Sequence, residues 1–362
     1  MAYQLPEKVT KLTPYTPITG SYPIRLDANE SFVSPSGQLL EELQQAAAGV
    51  AFSRYPDPYA TGLCAAFARL HRLSPDLVTA GNGSDELIGI LCGSLLPGGS
   101  VVLGLAPDFS MYGFYANLYG HRWAALPKQE SLQVDFDLLL AEAKARKAAM
   151  IILSNPCNPT SLGESRENIL RLAQELPQTL VVADEAYMEF YNQSVIDCVE
   201  QYDNLIVLRT CSKAVGLASL RLGFAVCGPV LTGALRAVKS PYNVNAVSQA
   251  MGEVVLSKPN YLQDCIGRIL RSRDRLQSEI GRLAEPEGAI RRVLPSCANF
   301  VFARCIDAPG LAQGLQAGGV VVRQMGDYLR ITAGSEQENE ALLTLLTKLR
   351  LSIKSCNRKI GI

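Results

Sequence analysis

Histidine is nearly absent from this sequence: 362 residues contain two, His71 and His121. So few leave little for metal ligation or for a Ser-His-Asp arrangement. His71 follows an amphipathic stretch and His121 opens a strand-like run, so both read as structural or surface residues. Acid–base chemistry must then come from Lys, Asp, Glu, Tyr or a cofactor. An excess of charge of one sign is missing too. Lys plus Arg total 34 and Asp plus Glu total 34, so nothing favours nucleic acid or an anionic membrane surface. No run of about 18 apolar residues marks a membrane span, and the opening MAYQLPEKVTKLTPYTP lacks the apolar core of a secretory signal. The chain reads as cytoplasmic, with small molecules and a second copy of itself as expected partners. The ten cysteines include no Cys-x-x-Cys pair; they read as reduced and mostly structural, and no metal site is expected. Internal repeats and low-complexity tracts are absent as well.

What is present is alternation. The length suggests one large domain plus a smaller one. Between about 75 and 230, apolar runs that predict strands (100–105, 149–153, 179–183, 204–208, 222–227) alternate with stretches that predict helices (85–96, 109–119, 137–146, 165–175). This is the α/β pattern of a large domain with a mainly parallel sheet and helices on both faces. Its functional residues belong in loops beyond the carboxyl ends of the strands. After Pro241 the pattern becomes a smaller α+β domain: a long helix at 261–283, strands at 299–303, 319–323 and 328–332, and a final helix at 335–349. We therefore read 1–34 as an arm and part of the small domain, 35–245 as the large domain, and 246–362 as the small C-terminal domain.

Four strand-end elements carry chemistry. In Leu208-Arg-Thr-Cys-Ser-Lys-Ala-Val-Gly, Lys213 stands in a turn of small residues, with Thr210 and Ser212 near it, Arg221 eight residues on, and Gly216 and Gly223 permitting close backbone approach. A lone loop lysine is ordinarily a surface residue. Hydroxyls plus an arginine make a phosphate site, however, and a lysine beside it can form an imine with an aldehyde. Thr79-Ala-Gly-Asn-Gly-Ser-Asp-Glu leads from a strand into a helix whose free N–H groups suit an anion; it lacks the P-loop and dinucleotide signatures, so neither ATP nor NAD is supported. Alone it is more often only a turn. Asp184 closes the apolar run Val181-Val-Ala-Asp, where an unpaired carboxylate is costly to bury, so it needs a cationic partner or serves as a helix N-cap. A protonated pyridine nitrogen would be such a partner, and Tyr187 follows three residues later. The turn Leu153-Ser-Asn-Pro-Cys-Asn-Pro-Thr supplies amides at Asn155 and Asn158.

In this order the motifs resemble the class I/II group of fold-type-I aminotransferases, in the histidinol-phosphate aminotransferase branch. The likeness runs through nearly the whole chain, adding Leu26-Asp-Ala-Asn-Glu, Tyr55-Pro-Asp-Pro, Pro107-Asp-Phe-Ser-Met-Tyr and Leu329-Arg-Ile-Thr to the four elements. It implies the fold of a fold-type-I pyridoxal-phosphate-dependent transferase, with pyridoxal 5'-phosphate carried by Lys213 as a Schiff base. It further implies that Asp184 pairs with the pyridine nitrogen and that Asn158 and Tyr187 contact the ring oxygen. Gly83, Ser84, Asp85, Thr210, Ser212 and Arg221 fall to the phosphate end, with Tyr112 stacked on the ring. Tyr55 would reach the phosphate of the neighbouring subunit, which implies a homodimer with shared active sites. Arg330 matches the arginine that holds the substrate carboxylate, and Asn29 and Arg323 lie at the same end. The activity implied is ping-pong transfer from histidinol phosphate to 2-oxoglutarate, with Lys213 as anchor and proton carrier. The alternatives are an aromatic or broad-specificity amino-acid aminotransferase and a threonine-phosphate decarboxylase. Ser161 and Ser219 stand where the family usually has glycine, and Ser31-Phe32-Val33 departs from its common pattern at the substrate end.

Overall fold

A computed structural model describes residues 3–10, 12–14 and 16–360. In chain order its strands are β1 (Ile24–Leu26), β2 (Val78–Asn82), β3 (Val101–Ala106), β4 (Arg122–Pro127), β5 (Met150–Ser154), β6 (Leu180–Asp184), β7 (Leu205–Thr210), β8 (Leu222–Cys227), β9 (Ile290–Val293), β10 (Phe300–Cys305), β11 (Val320–Met325) and β12 (Tyr328–Thr332). Seven form one sheet in the order β2-β8-β7-β6-β5-β3-β4, and five form another in the order β1-β11-β12-β10-β9.

In the larger sheet β4, β3, β5, β6 and β7 are mutually parallel, while β8 runs antiparallel to both its neighbours. The sequence expectation of a mainly parallel sheet with helices on both faces is met. The physical basis is visible in the inner strands β3, β5, β6, β7 and β8, which are mostly apolar and buried because both faces are covered. Ile151, Leu153, Val181, Ala183 and Val207 enter one core, together with residues of the helices Thr61–His71, Phe136–Arg146 and Arg166–Glu175. Their neighbours Met150, Ile152, Val182, Ile206 and Leu208 point the other way, into a second core with Leu87, Ile88 and Leu91 of the helix Gly83–Ser94.

Strand order reverses between β3 and β5, because β4 continues outward on one side while β6 and β7 follow on the other. Loops leaving β3 and β5 therefore diverge and open a crevice at their carboxyl ends.

The five-stranded sheet has its own core, with Leu276 and Ile280 of the helix Pro259–Leu283 and Leu342 and Leu346 of the helix Glu336–Ile360. The N-terminal segment reaches it, since β1 pairs in parallel with β11. The helix Ala246–Leu256, which the sequence reading left unassigned, packs on Gly37–Ala48 and Thr61–His71, and its Val255 and Leu256 join the first core of the larger sheet. No helix among the described residues is long and apolar enough to cross a membrane.

Candidate active site

The crevice deepens into a cavity of about 540 Å³. At one end lies an anion cradle. The helix Gly83–Ser94 starts directly after β2, and its N-cap residue Asn82 offers no side-chain cap. Its amide group is engaged elsewhere, donating to Asn243 O at 2.6 Å and Glu86 Oε1 at 3.2 Å. Uncapped first-turn N–H groups are left for an anion. Opposite them Arg221 sits in the left-handed region (φ 52°), with Nη1 3.5 Å from Ser212 Oγ. Thr210 Oγ1 is 3.1 Å from that hydroxyl. The fit is tight: a Cβ on Gly83 would lie 2.7 Å from Arg221 Nη2, and one on Gly223 2.3 Å from Ser84 N. Asp85 turns its carboxylate away, where Oδ2 accepts from Tyr115 Oη at 2.9 Å.

At the other end, Asp184 closes β6 and is buried. Its Oδ2 accepts from Tyr112 Oη at 2.7 Å and its Oδ1 from Ala186 N at 3.1 Å. Burial pushes this carboxyl up to about 6, and the Tyr112 hydrogen bond opposes the rise. No basic side chain bonds to it among the hydrogen bonds and ion pairs of the described residues. A cationic ring nitrogen would supply what the carboxylate needs, so these residues fit a protonated pyridine. Lys213, in the loop after β7, reaches Ala28 O at 3.2 Å, with Nζ 6.0 Å from the Tyr187 ring centroid. Burial, helped by the positive charge of Arg330, brings its amine down to about 8.

A further wall of the cavity is built from four separated stretches. Asn29 Nδ2 donates to Tyr187 Oη at 2.8 Å, and Asn29 N to Thr332 Oγ1 at 3.0 Å. Arg330 Nη1 donates to Asn158 Oδ1 at 2.6 Å. Arg323 and Arg330 are register partners on β11 and β12, so two guanidinium groups stand on one face of the sheet. Opposed like charges destabilise a sheet unless an anion bridges or balances them.

Of the residues to which the resemblance gives a cofactor or substrate role, all but one line this cavity. The exception is Tyr55, 81% exposed and stacked on Tyr242 at 4.7 Å between ring centroids. The Tyr112 hydroxyl is committed to Asp184, a bond the expected stacking role did not include. Sequence reasoning passed over Asp108, Phe109, Met111, Ser154 and Met325, which also line the cavity. Four of these lie inside quoted motifs, which were the available signal; Met325, at the end of β11, lies outside every quoted motif and beyond the strand expected at 319–323.

The departures from the family pattern have local explanations. Ser161 adopts a left-handed conformation (φ 63°) in the interior, and its hydroxyl donates to Pro295 O at 2.9 Å. Ser219 is exposed. A Cβ on Gly216 would lie 2.4 Å from Val33 O, so the Ser31–Val33 segment runs against the lysine loop. His71 packs against Phe67, and His121 lies 2.7 Å from Cys92 O, both away from the cavity. No group of three or more potential metal ligands occurs among the described residues.

The chain is similar to known proteins over nearly its whole length. Histidinol-phosphate aminotransferase of Clostridium kluyveri is 36% identical over 348 residues, 95% of this chain and 97% of its own. The crystal structure of histidinol-phosphate aminotransferase from Sinorhizobium meliloti in complex with pyridoxal-5'-phosphate matches with a TM-score of 0.86 at 25% identity, covering 98% of this chain and 99% of that one. L-threonine-O-3-phosphate decarboxylase from Porphyromonas gingivalis shares the fold, with a TM-score of 0.74 at 22% identity over 90% of this chain and 99% of its own. Residues 22–346, which span both sheets and every element that lines the cavity, match the family model for aminotransferase class I and II. An anion cradle, a buried carboxylate and a cavity lysine at the ends of parallel strands are thus carried by a chain that belongs to the class I and II aminotransferases.

Proposed function

We propose that this aminotransferase exchanges an amino group between histidinol phosphate and 2-oxoglutarate in histidine biosynthesis, with pyridoxal 5'-phosphate as its cofactor. The observation that carries the cofactor assignment is the pairing, in one cavity, of a lysine with lowered proton affinity and a buried carboxylate lacking a basic partner. The substrate assignment is supported by the names of relatives that match over nearly the full chain.

In this reading Gly83, Ser84 and Asp85 bind the cofactor phosphate through main-chain N–H groups, and Thr210, Ser212 and Arg221 bind it through side chains. Asp184 holds the ring nitrogen in its protonated form, Asn158 and Tyr187 donate to the ring oxygen, and Tyr112 braces Asp184. When bound, the cofactor supplies an aldehyde for the amine and a ring that accepts the electron pair released at the substrate carbon. Lys213 Nζ, as an uncharged amine, would take the proton from that carbon and return it. Arg330 holds the carboxylate of 2-oxoglutarate with a planar guanidinium, and Arg323 and Asn29 complete the substrate end.

The chain divides, in our proposal, into an arm with part of the small domain (1–34), a large domain (35–245) and a small domain (246–362) whose first helix, Ala246–Leu256, docks into the core of the large one. It works in the cytoplasm as a homodimer in which Tyr55 serves the neighbouring site.

Purified protein mixed with pyridoxal 5'-phosphate is expected to develop a visible absorption band that borohydride fixes covalently, and Lys213→Ala to abolish the covalent link. Failure of the wild-type protein to take up the cofactor would overturn the reading. Single-turnover conversion of the cofactor to its amine form by histidinol phosphate, aromatic amino acids and threonine phosphate tests the donor. Release of carbon dioxide from threonine phosphate would identify a decarboxylase instead.

A further inference from the structure

We propose that Asp108 is a positioning residue for transamination, acting through Ser154 on the Asn158 turn and thereby on Arg330. Asp108 lies in the loop after β3, and Ser154 ends β5, so the two face each other across the point where strand order reverses. The Asp108 carboxylate accepts from Phe109 N at 2.7 Å, from Ser154 N at 3.3 Å and from the Ser154 hydroxyl. Behind it, Cys157 Sγ lies 3.8 Å from Asp108 Oδ1, and Lys128 Nζ lies 3.0 Å from that sulfur. Burial raises the proton affinity of Asp108, while the Lys128 charge acts against the rise.

Hydrogen-bond polarity makes this contact directional. An ionised carboxylate only accepts, so Ser154 must spend its single O–H proton on Asp108. Its oxygen then has only lone pairs to offer the other side, and there it accepts Asn158 N–H at 3.1 Å. Asn158 in turn presents Oδ1 to Arg330 Nη1 at 2.6 Å. If Asp108 is removed, nothing holds the Ser154 side chain in its rotamer, and its oxygen can swing away from Asn158 N–H. The Asn158 turn then loses this anchor, and the Asn158 Oδ1 that Arg330 Nη1 donates to is no longer held in place, while Arg330 Nη2 keeps its bond to Asp27 O.

This inference rests on the proposed function, in which Arg330 binds a substrate carboxylate. The two substrates of that reaction differ in one relevant respect: 2-oxoglutarate carries a carboxylate beside the reacting carbon, whereas histidinol phosphate is an amino alcohol ester without one. Loss of the relay should therefore weaken the oxo acid selectively.

The test is steady-state kinetics of the cofactor-loaded enzyme with both substrates varied. For Asp108→Ala we expect the KM for 2-oxoglutarate to rise about tenfold, the size expected for one lost charge-assisted hydrogen bond, with the KM for histidinol phosphate within about threefold of wild type. Ser154→Ala should reproduce this split, and the double variant should be no worse than either single one, because both cut the same chain. Asp108→Asn keeps an acceptor oxygen and should recover most of the loss. Equal effects on both substrates, no effect, or multiplied effects in the double variant would overturn the proposal. Should Asp108→Ala not fold, the split in Ser154→Ala and the recovery in Asp108→Asn decide it. A wild-type protein that binds no pyridoxal phosphate would instead sink the proposed function, so the two failures are distinguishable.

Discussion

Lys213 shows how a fold alters one residue. An ordinary lysine holds its proton up to about pH 10.4, so at pH 8 fewer than about one in a hundred are free amines. Burial and the guanidinium of Arg330 bring Lys213 down to about 8, which makes about half of the population uncharged at that pH. Both act in the same direction, since burial penalises the ammonium and a neighbouring cation repels it. Only the free amine attacks an aldehyde. The rate at which apo-protein takes up pyridoxal phosphate should accordingly rise with pH and level off above about 8. Arg330→Met removes a positive charge that lowers the affinity for protons, so the midpoint should move to higher pH. Stopped-flow absorbance across pH 6 to 10 measures this; a midpoint that stays put or falls in the variant would mean that Arg330 does not reach the amine electrostatically. The position of Lys213 was legible in the sequence because a strand-like run precedes it and Arg221 follows it. Its contact with Ala28 O was not, since a bond between residues 185 positions apart depends on tertiary folding that no local pattern encodes.

Among the elements, β8 and the helix Gly83–Ser94 form the anion cradle together. Gly223 on β8 pairs with Gly81 on β2, and its missing side chain allows the helix start to approach to contact distance. Gly223→Ala would drive a methyl group into the backbone at Gly83 and Ser84, neither of which can rotate aside. Affinity for pyridoxal phosphate should fall at least about tenfold while Lys213 stays reactive toward small aldehydes lacking a phosphate. Titration with pyridoxal phosphate against pyridoxal separates the two; equal losses for both ligands would show that the cradle is not the part disturbed. The strands were legible because they are buried on both faces and read as continuous apolar runs that stop at Asp184 and Thr210. That β8 runs antiparallel was not, since alternation and propensity are the same for either direction. The helix Ala246–Leu256 was missed for a related reason: an apolar stripe announces burial without naming the surface that buries it. Asp108 and Ser154 were passed over because each looks like an ordinary turn residue until β3 and β5 bring them together.

At the scale of the molecule, the single chain leaves aromatic surface open around Tyr55. Phe52 is 79% exposed and Tyr59 54%, and Tyr55 itself rests on Tyr242 without entering the cavity of its own chain. Grouped exposed aromatics are expected where another surface covers them. If that surface is a second copy and Tyr55 serves the partner's phosphate end, activity must be separable between chains. Lys213→Ala homodimers should be inactive and Tyr55→Ala homodimers strongly weakened. In a mixed dimer, the subunit that keeps Lys213 receives an intact Tyr55 from its partner, so one complete site is restored and the other lacks both residues. Random assembly of equal amounts gives half mixed dimers with one working site each, or about a quarter of wild-type activity. Dissociating and reassociating the two variants together, with each alone as control, measures the recovery. If Tyr55 acts within its own chain, or not at the phosphate at all, mixing yields no more than the average of the two homodimers, because no subunit then combines an intact lysine with an intact tyrosine.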